Sequence, residues 1–323
     1  MDVWLQVQEQ LLFIAQTPML WAACLSGVTL GILWGAMPGL STTMAMTLLI
    51  GLTVGMSQAV AIIFMIGVYT GSVFGGAISA VLVNIPGTPD AVPTMVEGYA
   101  LAKRGEGGLA LGTAISASFV GNWVGIVLLI LFIPAVLFFA LQFRSWEMFL
   151  LSLWGIAICG SMSSMGSPLK GWISGWLGLL VSFVGLDAIH GVSRFSFGSY
   201  NLDDGVSFIP VLIGLFGLAE ILRVLPQKSP PSIPSDVGRV LPSIGALVKY
   251  LRPSLRSGLI GTVIGAIPGA GANVASFFSY DVGRRRAGQE EKKKWGKGSY
   301  EAIVCSEVAN NANVGGSMLP TLA

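Results

Sequence analysis

Residues 31–45 read GILWGAMPGLSTTMA, and residues 261–275 read GTVIGAIPGAGANVA. At a fixed offset of 230 the pairs Gly31/Gly261, Gly35/Gly265, Ala36/Ala266, Pro38/Pro268, Gly39/Gly269 and Ala45/Ala275 are identical. Upstream of each Pro-Gly pair, small residues recur every four positions: Gly27, Gly31, Gly35 and Gly39 in the first copy, Ser257, Gly261, Gly265 and Gly269 in the second. On a helix that spacing makes a stripe against which a neighbour can pack closely, as helices in lipid do. Proline removes a backbone donor and glycine permits positive φ, so each Pro-Gly pair ends a helix and frees polar backbone groups. Inside hydrocarbon such groups are tolerated only where protein or a water-filled cavity receives them. Gly/Pro-interrupted segments at matching places in two halves of a chain mark a transporter's binding site. A simple kink in a membrane helix is the plainer alternative.

Composition supplies the membrane. Hydrophobic residues make up 53% of the 323, charged residues 11%, and the mean hydropathy is +0.76, against roughly 25% charged in soluble domains. No Asp, Glu, Lys, Arg or His occurs from Gln10 to Pro89, whereas about 20 apolar residues suffice for one crossing. Further uncharged runs cover Gly107–Phe143, Met148–Leu169, Gly171–Leu186, Gly205–Ala219 and Ser257–Tyr280. These features predict an all-α membrane protein, a polytopic helical bundle with two Pro-Gly-interrupted re-entrant or broken helices in an inverted repeat. The expected organisation is an interfacial lead-in helix over 1–20, a first transmembrane repeat half over 21–225, a basic Pro-rich cytoplasmic connector over 226–256, and the start of a second half over 257–323.

The positive charge clusters in that connector and in the stretch from Arg284 to Lys297, which includes RRR and KKK. Cytoplasmic loops carry such excesses, so flanking charge on a membrane loop, and not nucleic-acid binding, is the reading. If both clusters are cytoplasmic, Ser257–Tyr280 returns to the side it left as a hairpin with Pro268-Gly269 at its tip. Arms of about 11 residues give roughly 16 Å of helix, about half the bilayer core. Leu25–Gly55 is the expected counterpart. Five crossings between them, over 58–83, 107–141, 146–165, 169–186 and 206–225, place the two hairpins on opposite faces, with Lys103, Arg104 and Lys170 inside and Arg144 and Arg194 outside.

A second element follows each copy. After the first comes a Gly67, Gly71, Gly75 stripe and GGAISAVLVNIPGTPDAVP; after the second comes EVANNANVGGSMLPTLA. Aligning Gly75-Gly76 with Gly315-Gly316 predicts that the counterpart of Asn84-Ile85-Pro86-Gly87 begins just past Ala323, so the chain is expected to be a piece of a longer protein.

The segments around both Pro-Gly pairs hold no Lys or Arg. They do hold helix starts: Leu40-Ser41-Thr42-Thr43 in one copy, Ala270-Gly271-Ala272-Asn273 in the other. A helix N-terminus presents unpaired N–H groups and about half a positive charge. The candidate substrate site is therefore Pro38, Gly39, Ser41, Thr42, Thr43, Pro268, Gly269, Gly271 and Asn273, with Asn84, Pro86, Gly87, Thr88, Asn310 and Asn311 adding donors or cation-binding carbonyls. Helix capping and interhelical hydrogen bonding are the alternatives for the Asn and Thr residues. Glu307, in an apolar segment, is a functional candidate because intramembrane carboxylates usually are. Glu220 pairs at a surface with Arg223, and His190 lies in an external loop. Cys24, Cys159 and Cys305 are small core residues. Gly296–Ser299 reads GKGS, a phosphate-loop mimic lacking the upstream glycine, and is discounted.

GAMPGLSTTMAMTLL, GVYTGSVFGGAISAVLVNIPGTPDAVPTMVEGYALAKRGEGGLALG, RFSFGSYNLDDGVSFIPVLIGLFGLAEIL, IGAIPGAGANVASFFSY and SEVANNANVGGSMLP together resemble the large membrane subunit of tripartite tricarboxylate transporters, from about Gly27 onward. The resemblance implies a multi-pass protein of the bacterial inner membrane. It implies a secondary transporter importing a di- or tricarboxylate from a periplasmic solute-binding protein, alongside a small membrane subunit, with no cofactor beyond a coupling cation, sodium or proton. A passive channel would also use Gly-rich re-entrant loops. An intramembrane enzyme is the third class; no HExxH or GxGD motif supports it.

Overall fold

The computed structural model describes Glu9 and residues 12–38, 40–140, 144–147, 149–150, 153, 168–187, 190–207, 210–211, 213–218, 222, 239–267 and 271–318. Gly39, Pro268, Gly269, Cys159, Glu220 and most of 1–11, 146–165 and 206–238 lie outside them.

The described chain is almost wholly helical: α1 Pro18–Gly35, α2 Thr42–Leu49, α3 Gln58–Val83, α4 Val92–Ala102, α5 Gly107–Ala140, α6 Pro168–Ser182, α7 Tyr200–Asp203, α8 Ile244–Lys249, α9 Leu251–Gly265, α10 Gly271–Arg286, α11 Gln289–Lys292 and α12 Tyr300–Ser317. A 3-10 turn, Pro89–Ala91, joins α3 to α4. Gly185–Leu186 and Ser193–Arg194 form a short antiparallel pair in which Gly185 faces Arg194. Among the described residues, three helices are long and apolar enough to cross a bilayer, Pro18–Gly35, Gln58–Val83 and Gly107–Leu131. The chain is a helical membrane protein.

Local chemistry explains the boundaries. Pro18 opens α1 where its missing N–H costs nothing. The Ser41 hydroxyl accepts from the Met44 N–H at 3.2 Å and caps α2, and the Ser299 hydroxyl accepts from the Ala302 N–H at 3.2 Å and caps α12. Asn84 ends α3 in the left-handed region at φ 59°.

The glycine stripes make the tertiary structure. A Cβ at Gly27, Gly31 or Gly35 of α1 would lie 2.3, 2.4 or 2.2 Å from the carbonyl oxygens of Phe64, Val68 and Ser72 in α3. Gly71 and Gly75 of α3 answer with 2.4 and 2.6 Å to the carbonyls of Val28 and Ile32. The opposite side of α1 is apolar and open, with Leu25 66% and Leu33 57% exposed, as suits a lipid-facing surface.

The second copy repeats the packing. A Cβ at Gly261 or Gly265 of α9 would lie 2.2 or 2.5 Å from the carbonyls of Ala309 and Asn313 in α12, and one at Gly316 would lie 2.3 Å from the carbonyl of Thr262. Val68 therefore corresponds to Ala309 and Ser72 to Asn313, an offset of 241. This corrects the alignment of Gly75-Gly76 with Gly315-Gly316 by one residue: Gly75 matches Gly316. Backbone contact fixes that register, whereas two adjacent glycines leave it open in the sequence.

α12 is the centre of the second unit, with every residue from Ala302 to Gly316 buried. It packs on α5, α9, α10 and α4. Gly121 and Gly125 of α5 bring that helix against the carbonyls of Val308 and Ala312, where a Cβ would sit at 2.5 and 2.7 Å.

α9 and α10 form an antiparallel hairpin whose open ends share one face. Tyr250, before α9, lies within electrostatic reach of Glu291 and Glu301, and Glu301 lies near Lys249 and Arg256. Burial above all, and then these two carboxylates, push the Tyr250 phenol up to about 12. The arms are 15 and 16 residues, longer than the 11 expected, because α9 starts within the basic connector and α10 runs on to the RRR cluster. α1 is likewise 18 residues, while its partner α2 has only 8.

Candidate functional site

A cavity of about 580 Å³ opens between the two repeat copies. Its wall is made by Ser41, Thr42 and Thr43 at the start of α2, by Gly271, Ala272 and Asn273 at the start of α10, and by Met46, Tyr69, Val73, Pro89 and Asp90. Five of the residues singled out in the sequence, Ser41, Thr42, Thr43, Gly271 and Asn273, thus meet although they lie some 230 positions apart. Gly271 adopts φ +70°, a conformation that glycine enters without a steric penalty and that lets the chain turn into α10.

The first turns of α2 and α10 lie on this wall, and the first N–H groups of a helix have no intrahelical partner, although that of Met44 is capped by Ser41. Thr42 adds a buried hydroxyl oxygen that has no hydrogen-bond partner among the described residues. The arrangement is a set of donors with no cationic side chain, which suits an anion held by partial charges.

The other candidates sit elsewhere. Pro38 is exposed in the turn after α1 and is not on the cavity wall. Asn84 is the cap of α3. Pro86, Gly87 and Thr88 are buried in the turn behind the wall. A Cβ at Gly87 would lie 2.0 Å from the Gly35 carbonyl and 2.8 Å from the Gly76 Cα, so its role is close packing of α1 and α3. Asn311 donates to the Ser118 hydroxyl at 2.8 Å and to the Glu307 carbonyl at 3.0 Å, tying α12 to α5. Asn310 stands one layer behind the cavity and donates to the Asp90 carboxylate at 2.6 Å.

Asp90 and Tyr69 are the ionisable wall residues that inspection of the sequence missed. Asp90 is 4% exposed, and the Ser276 hydroxyl of α10 donates to its backbone carbonyl at 2.8 Å, pinning the 3-10 turn to the second copy. Asp90 closes the uncharged stretch that begins at Gln10, and that position was the available signal. Glu307, fully buried in α12, accepts from Thr94 at 2.5 Å and Ser118 at 3.1 Å.

Glu97 forms a different kind of centre. Its buried carboxylate accepts from the Tyr280 hydroxyl at 2.6 Å and from the N–H groups of Gly296, Gly298 and Ser299 at 2.5, 2.9 and 2.8 Å. The GKGS stretch is therefore an anion nest, built with Gly296 at φ +79° and Gly298 at φ +106°, whose anion is a side chain of the same protein. Arg104 also donates to the Lys297 carbonyl, so the loop after α4 and the basic segment before α12 share one face. Exposed His190 pairs with Asp187 at 2.7 Å in the loop between the two short strands.

A model of the tripartite tricarboxylate transporter TctA family matches residues 21–323. A relative from Agrobacterium vitis, described as an uncharacterized 52.8 kDa protein in the TAR-I ttuC' 3' region, is 34% identical over 311 residues, covering 95% of this chain and 61% of the relative. The chain thus spans about three fifths of that relative's length. No solved structure matches. With its glycine-packed helix pairs and the cavity between the two Pro-Gly copies, the chain belongs to the tripartite tricarboxylate transporter TctA family.

Proposed function

We propose that this chain is the greater part of the membrane subunit of a secondary transporter that imports a di- or tricarboxylate. The observation that carries the proposal is the cavity to which both repeat copies bring a helix N-terminus, Ser41–Thr43 from one and Gly271–Asn273 from the other. One carboxylate group of the substrate accepts N–H donors from the first turn of α2, with the Thr42 hydroxyl; another accepts from the first turn of α10, with Asn273. A substrate with carboxylates at both ends suits two facing N-termini better than a monocarboxylate does.

The α9–α10 hairpin acts as a re-entrant element in an inverted repeat. Its open ends lie together, its arms of 15 and 16 residues are about 23 Å long, short of a core of about 30 Å, and the start of α10 borders the cavity. The shared face of Lys103, Arg104 and the Arg284–Lys297 cluster supports a cytoplasmic placement for all of them. A periplasmic solute-binding protein delivers the substrate on the far side, a small membrane subunit completes the assembly in the bacterial inner membrane, and an ion gradient drives uptake. The family's tripartite character supports these partners.

The test uses the protein at its natural length with Asn273→Cys as the only reactive cysteine. A small aqueous thiol reagent labels this position, and citrate or succinate slows the labelling. Labelling indifferent to both anions would sink the proposal. A passive channel would give uptake in proteoliposomes without an ion gradient or an added binding protein.

A further inference from the structure

We propose that Asp90 and Asn310 hold a monovalent cation at the wall of the cavity, and that this cation admits the substrate by cancelling the Asp90 charge. The inference rests on the carboxylate reading above and assigns the coupling cation its place.

The cavity that would take an anion has a carboxylate in its wall. Asp90 is 4% exposed, and among the described residues no Lys, Arg or His pairs with it. Unpaired, the Asp90 charge would repel a substrate carboxylate across a short, poorly screened distance. It is also costly in itself, because hydrogen bonds from the Asn310 amide and from its own turn do not replace a counter-charge.

A second observation points to a ligand at the same place. Asn310 is fully buried; its Nδ2 donates to Asp90 Oδ2 at 2.6 Å, while its Oδ1 has no hydrogen-bond partner among the described residues. That oxygen belongs to the same planar amide that touches Asp90. A carboxylate and an amide carbonyl are hard oxygen donors, the kind that a small hard cation takes.

The titratable groups facing Asp90 are Tyr69 from α3 and Glu307 from α12. α10 contributes the Ser276 hydroxyl, and Glu97 of α4 is occupied by the nest before α12. None of these supplies positive charge. Glu307 is excluded as the cation holder because both its oxygens already accept hydroxyl donors. The cation is a sodium ion seated among these oxygens, or a proton on Asp90 donated to an Asn310 amide turned over. Either carries the single positive charge the site lacks. Linkage then makes the coupling mutual: the cation raises affinity for the carboxylate, and the carboxylate raises affinity for the cation.

The experiment measures citrate binding by calorimetry to the purified protein at its natural length. One arm varies sodium against choline at fixed pH and ionic strength; the other varies pH at fixed sodium. Citrate affinity should rise at least tenfold in one arm, which identifies the cation. Asp90→Asn should flatten both arms, while Glu307→Gln should keep the wild-type dependence. Should Asp90→Asn fail to fold, Asn310→Ala decides: the midpoint of cation dependence should move at least tenfold, and an unmoved midpoint overturns the proposal. Citrate binding that ignores both cations in the wild type, or that keeps its cation dependence in Asp90→Asn, overturns this inference alone. Absence of citrate binding under every condition overturns the carboxylate reading and this inference with it.

Discussion

Gly31→Ala adds one methyl group at a place where the structure has no room. The new Cβ would lie 2.4 Å from the Val68 carbonyl oxygen and 2.9 Å from the Ser72 nitrogen, about 1 Å inside the 3.4 Å at which ordinary contact begins. Both neighbours are backbone, so no rotamer change relieves the clash, and α1 must withdraw from α3 by about that distance. A gap of 0.5–1 Å forfeits roughly a quarter to a half of each dispersion contact. The loss extends to Gly27 and Gly35, one turn away on the same seam. We expect destabilisation of about 2 kcal/mol, within the ~1–3 kcal/mol typical of overpacking. Gly261→Ala, at 2.2 Å from the Ala309 carbonyl, should cost a similar amount. The control is Gly178→Ala in α6, where a Cβ meets nothing within 4 Å. All three are helix-interior positions, so the intrinsic gain of alanine over glycine, about 1 kcal/mol, cancels in the comparison. The assay is thermal unfolding in one detergent, followed by loss of monodisperse protein. If Gly31→Ala and Gly261→Ala melt together with Gly178→Ala, close backbone approach does not hold these helix pairs.

Glu97→Gln should lower stability by about 2–3 kcal/mol, because the buried oxygens take three backbone N–H groups and the Tyr280 hydroxyl and charge-assisted bonds of this kind are worth about 1.5–3 kcal/mol; an unchanged melting temperature would remove the nest from the list of stabilising features. Tyr280→Phe should cost only about 1 kcal/mol in the same measurement, the scale of one hydrogen bond. Ser41→Ala removes the cap of α2 and should weaken both stability and citrate binding by about 1 kcal/mol, whereas a tenfold larger loss of binding would make the Ser41 side chain, not the backbone, the main donor. Substituting Lys103 or Lys170 by Gln should leave citrate affinity within twofold, since neither lies on the cavity wall; a larger loss would contradict an anion held by helix N-termini.

The membrane class was legible from the uncharged run ending at Pro89, since no soluble core absorbs so long an apolar stretch. The repeat was legible because the Pro-Gly pairs and four-residue glycine spacing are local features, and helix starts at Thr42 and Gly271 follow from backbone chemistry alone. Which helix each stripe meets was not, because a glycine records that something approaches and not what approaches. Only the three-dimensional packing paired α1 with α3 and α9 with α12, and only backbone contact chose Gly316 over Gly315 as the partner of Gly75. The split among the site candidates has the same origin. Ser41–Thr43 and Gly271–Asn273 reach the cavity because each begins a helix beside it, while Asn84 and Gly87 sit in a packed turn and Asn311 bridges two helices. Asp90 stood in plain view as an acid at the edge of the apolar run. Its meaning depended on Asn310, 220 residues away, whose amide the fold alone brings within 2.6 Å.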